Sequence, residues 1–378
     1  MTQNPPVCIL HLQPGSGARE LAALPSAPPP QGFYWISCTR AVLQSRLAEV
    51  QAALQACCGQ QLVDLHVSDL LNAQLPSHYD YTAHYDLLVF RRLVAGQEPA
   101  AAAAGARPVR RGGPPVLRRI DTSPVGFALF DQVLLSIHPE DGAMRSAYAA
   151  RLLAAQPTDP REGRAGNAGA RLPDSPADLM LRAINLIVDG FLELRRELSR
   201  QLDHWQAELL RPRTRFTNWG ALLAARLALH ELDDVCEDQR SAIQDWIEAL
   251  ETWQADEHAL ALRELDLLQV RSRDLLEHIE RVAHHVHRLE QNTETAVQMH
   301  FSVQSNRTND IMRTLTVLTA VFLPLNLIAG IFGMNFDALP LIHQQNGFWW
   351  AMASMVLMAL ALTLLFWRKR YLARSAQD

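Results

Sequence analysis

Polar and apolar positions divide this chain into three stretches of different character. From residue 7 to about residue 150, short runs rich in β-branched and aromatic residues alternate with segments of helical composition. Residues 7–12, 33–38, 87–94 and 125–137 read as strands, and 41–57 and 68–75 as helices. This predicts a mixed α/β domain over 1–155. Residues 95–115 hold an Ala run and then Pro and Gly among arginines; 156–176 mix Pro, Gly, Asp and Arg. Neither stretch buries enough apolar area to offset its ordering entropy, which predicts a mobile loop and a linker.

After Pro176 the pattern turns to long helices. One apolar-periodic run is ended by Pro212, and from Ala221 to Leu323 there is neither Gly nor Pro. Only a polar turn near 255–258 interrupts that stretch. The pattern predicts long antiparallel helices over 177–256 and a stalk helix over 257–313 that continues into the segment beyond. At 1.5 Å per residue this last helix is roughly 100 Å long. A lone rod of that length is unstable in water, so it calls for neighbours, and oligomerisation is the simplest supply.

In the third stretch, residues 314–332 and 348–367 are apolar and uncharged, and the second segment stops at Arg368-Lys369-Arg370. About twenty such residues cross the hydrocarbon core as a helix, so the pair predicts a transmembrane hairpin with a connecting loop over 333–347. A buried hairpin in a soluble protein is the alternative, but core helices rarely need an all-apolar circumference. The loop carries no Lys or Arg, whereas Arg307 and Arg313 precede the first segment and the basic tail over 368–378 follows the second. The positive-inside rule then puts both termini in the cytoplasm and the loop outside, extracellular or periplasmic. Trp349 and Trp350 at one end, with Trp367 and Tyr371 at the other, suit interfacial belts. No signal-peptide pattern opens the chain, so the first membrane helix is expected to direct its own insertion.

Composition narrows the function. Net charge is −5, which gives no reason to propose nucleic acid as a partner. The five cysteines show no metal-ligand spacing and read as reduced core residues. There is no phosphate-binding loop, nucleophile elbow or dinucleotide fingerprint, so an enzyme is not expected.

One helical face stands out. Asn309, Met312, Leu315, Thr319, Leu323, Asn326, Gly330 and Gly333 are spaced by alternating threes and fours, so all lie on one side. Asn326, the only Asn in the first apolar segment, is either a helix–helix hydrogen bond or a pore-lining group. Pro324 predicts a local kink. The segment closes on Gly333-Met334-Asn335 within the longer run Pro324-Leu325-Asn326-Leu327-Ile328-Ala329-Gly330-Ile331-Phe332-Gly333-Met334-Asn335-Phe336.

On these residues the chain resembles the CorA family of divalent-cation transporters, which includes a zinc-transporting branch (ZntB). The Gly-Met-Asn signature of that family ends the first of two C-terminal membrane helices. The resemblance covers about 260–374 and is architectural in the N-terminal domain. It implies a homopentamer with a funnel-shaped cytoplasmic domain, five copies of the long helix around one pore, and residence in the cell (inner) membrane. Gly333, Met334 and Asn335 would form the selectivity filter. A ring of neutral carboxamides at Asn335 suits Mg²⁺, which holds its first waters tightly, because it accepts hydrogen bonds from the hydrated ion without binding it too strongly to release. Asn309, Thr319, Asn326 and Gly330 would line the pore, with Met312, Leu315 and Leu323 as apolar constrictions that gate by dewetting. Asp274, Glu277 and His278 align with the stalk region where relatives bind regulatory Mg²⁺, the remaining ligands coming from among Asp64, Asp69, Asp80, Asp86 and Asp121 of a neighbouring subunit. His284 and His287 have workable zinc spacing but read first as partly exposed helix residues.

Two departures bear on the ion. Many magnesium-transporting members follow the signature with Met-Pro-Glu, where this chain has Leu339-Pro340-Leu341, and an acidic position near the inner mouth is Gln298 here. The expected function is transport of divalent cations, Mg²⁺ foremost with Co²⁺ and Ni²⁺ alongside, with no prosthetic group. The alternatives are a Zn²⁺ transporter, proton-coupled or not, and more remotely a membrane-anchored interaction module. Neither apolar segment holds a carboxylate or histidine to relay protons.

Overall fold

The structure is a computed structural model describing residues 7–13, 17–94, 120–154, 172–209, 219–253, 259–334 and 346–368. Its N-terminal part is a seven-stranded sheet. The first strands, β1 (Val7–Gln13), β2 (Gly17–Glu20) and β3 (Phe33–Thr39), lead into helices α1 (Arg40–Ser45), α2 (Leu47–Cys58) and α3 (Asp64–Leu71). Then follow β4 (His78–Tyr81), β5 (Asp86–Leu93), β6 (Thr122–Leu129) and β7 (Val133–His138), and helix α4 (Ala143–Ala154). The strand order is β2-β1-β3-β7-β6-β5-β4, antiparallel throughout except for the central β3–β7 pair. Every residue of β3 and β7 is buried, as expected for central strands covered on both faces.

Side-chain alternation sorts the sheet into two cores. Ile36, Cys38, Leu87, Leu135 and Ile137 pack with Leu43, Val50, Leu54 and Leu70 of α1, α2 and α3. Leu10, Trp35, Phe90, Phe127 and Leu134 face the other way, toward α4 and three long helices. These are α5 (Pro176–Leu209), α6 (Trp219–Thr252) and α7 (Ala259–Phe332); α8 (Gly347–Arg368) closes the chain. Buried positions along α6 include the series Ala225, Leu229, Leu232, Cys236, Gln239, Ile243, Trp246 and Leu250; those along α7 include Leu268, Ser272, Leu275, Ile279, Val282, Val286, Leu289 and Thr293. Both series step by alternating threes and fours, the 3.5-residue repeat of knobs-into-holes helix packing. Polar members of the seam are satisfied: Trp246 Nε1 donates to Ser272 Oγ at 3.0 Å, Gln239 Nε2 to the Arg91 carbonyl at 2.7 Å, and the Thr293 hydroxyl to the Leu289 carbonyl at 2.8 Å.

The predicted α/β domain, long helices and two apolar C-terminal helices are all present. Local differences have physical causes. Residues 125–137 are two strands, because exposed Asp131 and Gln132 turn the chain and the Phe130 N–H donates to the Val133 carbonyl at 2.9 Å. Residues 41–57 form two helices that meet at Arg46, whose φ of −120° and ψ of 25° are not helical. Strands β2 and β4 are short and polar and lie at the sheet edges, where an alternating apolar face is not needed. The end of the expected linker is ordered: Leu172 is buried, and Ser175 Oγ accepts from the Asp178 N–H at 3.2 Å as α5 begins. The loop at 95–115 and the rest of that linker lie outside the described residues.

The chain divides into two compact units, Met1–Glu208 with Arg215–Glu294, and Leu209–Thr214 with Thr295–Asp378. The second contains the last 38 residues of α7, counting from Thr295 to Phe332, and all of α8.

Candidate ion pathway

Helix α7 runs unbroken through Pro324, the one proline inside it. Pro324 has no N–H, so the Ala320 carbonyl loses its helical donor. Just before it, the hydroxyls of Thr314, Thr316 and Thr319 donate to the carbonyls four residues back, each at 2.8 Å. These bonds satisfy the hydroxyls within an apolar segment, and back-bonding of this kind bends helices. Beyond Phe332 the turn continues through two bonds, Gly333 N–H to the Ala329 carbonyl at 2.9 Å and Met334 N–H to the Ile331 carbonyl at 3.3 Å. A Cβ at Gly333 would sit 3.1 Å from the Ala329 carbonyl oxygen, a tight approach that glycine avoids.

All eight stripe residues, Asn309, Met312, Leu315, Thr319, Leu323, Asn326, Gly330 and Gly333, are exposed in the single chain. The less exposed positions, Val317, Ala320, Val321, Pro324, Leu325 and Ile328, centre on the opposite side of the helix. The Asn326 side chain makes no hydrogen bond among the described residues, and the Thr319 hydroxyl donates to the Leu315 carbonyl. Asn335 lies outside the described residues, as do Asp337, the 339–341 run and the basic tail from Lys369. Helix α8 carries its less exposed residues, Ala351, Met355, Ala359, Leu362 and Phe366, on one side. Trp349 and Trp367, at its two ends, are each 70% exposed. Among the described residues two helices, α7 and α8, are long and apolar enough to cross a membrane.

In the first unit, Asp274 and Glu277 are exposed on α7 and His278 is half-buried. Glu277 is held by Arg281 at 2.6 Å, and His278 Nδ1 is buried without a hydrogen-bond partner. No group of three or more His, Cys, Asp or Glu is placed to hold a metal ion among the described residues. Two nearby histidines, His285 and His287, are engaged with polar neighbours. His285 Nε2 meets Ser199 Oγ at 2.7 Å, and His287 Nε2 meets Gln291 Nε2 at 2.9 Å. Of the acids considered as partner ligands, Asp80 accepts from His66 Nε2 at 3.1 Å and Asp86 from the Tyr79 hydroxyl at 2.5 Å. Burial and the nearby Asp131 push the Asp86 carboxyl above its ordinary value.

The sequence reading passed over a buried charge cluster. Asp178 of α5, 3% exposed, accepts from Arg182 Nε at 3.1 Å and Nη2 at 2.9 Å, and pairs with Arg271 of α7. Its signal was the i, i+4 Asp–Arg pair on an apolar helix face.

A sheet-based α/β domain, long helices and two bare apolar helices are the architecture of a membrane protein with a large soluble domain. The chain belongs to the family of CorA-like Mg²⁺ transporter proteins, whose model matches residues 31–370. It is 32% identical over 100 residues to the cobalt/magnesium transport protein CorA of Thermotoga maritima, covering 26% of this chain and 28% of that one. It is 34% identical over 94 residues to the putative metal ion transporter YfjQ of Bacillus subtilis, covering 25% and 29%. The matched stretches thus span less than a third of either relative. The complete structure of the CorA magnesium transporter from Methanocaldococcus jannaschii aligns over 99% of both chains with a TM-score of 0.68 at 15% identity, a likeness of fold.

Proposed function

We propose that this protein carries divalent cations, Mg²⁺ foremost, across the cell membrane through a central pore built from five copies of α7. The observation that carries the reading is the α7 stripe: polar, small and apolar residues in alternation, bare in the single chain and opposite the helix's covered side. In this reading the Asn335 carboxamides receive the hydrated ion at the outer mouth, with Gly333 and Met334 shaping the approach. Asn326 forms a second polar ring about two turns deeper, followed by constrictions at Leu323, Leu315 and Met312 and a polar ring at Asn309. Both termini are cytoplasmic. The inward gradient for a cation is favourable by about 2.3 kcal/mol per charge per 100 mV, so no energy-coupling domain is required. Asp274, Glu277 and His278 supply one subunit's share of a regulatory metal site, which fits the unpartnered His278 Nδ1.

A second reading, Zn²⁺ as substrate with or without proton coupling, is favoured by one sequence observation, the absence of an acid in Leu339-Pro340-Leu341. Flux into proteoliposomes separates the two. Mg²⁺ entry indifferent to a pH step supports the passive channel; Zn²⁺ entry that follows the proton gradient establishes the alternative; flux of neither ion removes both. Asn335→Ala should cut Mg²⁺ entry about tenfold or more, since hydrogen bonds to charged groups are worth roughly 1.5–3 kcal/mol. Unchanged flux in that variant would remove the filter assignment.

A further inference from the structure

At one end of the sheet, arginines gather around a buried histidine that the transport reading does not use. Strands β3 and β7 end at Thr39 and His138, which are register partners in the parallel pair, so Arg40 and the 139–142 turn leave the sheet side by side. Strand β5 brings Arg92 to the same end, opposite Ser123 of β6, and α4 brings Arg145 in its first turn. Ligands of open α/β sheets bind outside the carboxyl ends of parallel strands, the position these residues occupy. Arg92 and Arg145 are 5% and 4% exposed, and Arg40 is half-buried. The charges of all three bear on His138.

Their bonds leave these guanidinium groups short of negative partners. Arg40 donates to Ser123 Oγ at 3.5 Å and to the Pro124 carbonyl, and its Nε is buried with no hydrogen-bond partner. Arg92 donates to the Leu93 carbonyl at 3.0 Å and pairs with Asp141, and its Nε is likewise buried and unpartnered. Glu140, at the rim, is exposed and accepts from the Ala41 N–H at 3.2 Å. The segment joining β5 to β6, residues 95–119, has five arginines and one acid, Glu98, so the adjoining sequence adds positive charge instead of cancelling it. A buried N–H needs an acceptor, and a buried charge needs an opposite one.

The missing group is therefore a negative acceptor with several lone-pair directions, because unpartnered N–H groups come from α1 and β5 and a third cation from α4. One carboxylate already stands on Arg92: that of Asp141, from a surface turn, with its side chain 28% exposed. Guanidinium groups match phosphate oxygens as they match carboxylates. The amino end of α4, with no acid in its first turn, favours an anion as well. We propose that this end of the sheet binds inorganic phosphate, held by Arg40, Arg92 and Arg145, with Asp141 as the internal group that the phosphate displaces. The cavity beside His138 and Arg145 is about 10 Å³, room for one water, so the site opens when the Asp141 carboxylate swings out to solvent. The proposal does not depend on which ion the pore carries.

The test is calorimetric titration of the full-length, detergent-solubilised protein with sodium phosphate, beside sodium chloride at matched ionic strength. Saturable phosphate binding at about 1 mM or tighter is expected. Two variants should move it in opposite directions. Arg92→Gln should weaken it about tenfold or more, through loss of a charge-assisted bond. Asp141→Asn should tighten it about twofold to fivefold, the worth of a partly exposed ion pair that no longer competes. Where Arg92→Gln lowers the unfolding temperature, Arg40→Gln, at a half-buried position, carries the same expectation of weaker binding. Absence of saturable phosphate binding, or chloride binding in its place, overturns the proposal. So does phosphate affinity that is unchanged or weaker in Asp141→Asn, which would leave Asp141 a structural partner of Arg92 alone.

Discussion

At the scale of single residues, His138 shows how completely the fold overrides ordinary chemistry. It sits 3% exposed at the end of β7, and its Nε2 lies 2.9 Å from Ser136 Oγ. Ser136 also accepts from Trp35 Nε1 at 2.8 Å, which leaves its own proton available to His138 Nε2. Burial, followed by the positive charges of Arg145, Arg92 and Arg40, pushes its pKa down from 6.5 to about 3. The sign follows directly. Between pH 6.5 and about 3 the unfolded chain binds a proton that the native protein refuses. The contribution of His138 to stability is therefore complete above the unfolded value and is lost as pH falls through that window. His138→Gln keeps an acceptor for Ser136 and removes the titration. Its unfolding temperature should fall less steeply than the parent's between pH 6.5 and 5; parallel curves would mean that His138 is not held neutral. Nothing in the sequence around His138 announced this, because the three arginines come from α1, β5 and α4.

At the scale of elements, the long helices are held by a heptad seam and by one buried charge. The seam was legible in principle, since the four-three spacing of Leu275, Ile279, Val282, Val286 and Leu289 is present in the sequence. The Arg271–Asp178 pair was not, because its partners are 93 positions apart, counting from 178 to 271, and only packing brings α5 against α7. Replacing Asp178 with Ala leaves Arg182 and Arg271 without their shared acceptor. The arginines left behind are 38% and 22% exposed and partly solvated, so the loss of their charge-assisted bonds costs roughly 1.5–3 kcal/mol, and the variant should unfold at clearly lower denaturant in the detergent-solubilised protein. A shift within about 0.5 kcal/mol, the ordinary range for surface substitutions, would mean the cluster is solvated.

At the scale of the whole molecule, Leu267 and Val270 stand 48% and 62% exposed on α7, and the stripe in the apolar part of that helix is equally bare. Exposed apolar surface of this kind marks contact with other proteins or with a membrane. The mass of the detergent-solubilised protein, corrected for bound detergent, should be five times that of one chain, and Val270→Asp should lower the assembled fraction; a monomeric parent would remove the pore reading. The sequence by itself determined the apolar hairpin, the α/β-then-helix order and the family, because these rest on local composition, periodicity and a short contiguous signature. It also carried the stripe, since helical spacing is enough to define a face. Tertiary structure alone decided the pairing of β3 with β7 and which charged groups meet, because strand order and side-chain neighbourhoods depend on contacts between residues far apart in the chain. The Asp178–Arg271 pair is the clearest case, since its two members lie on different helices and nothing local announces their meeting.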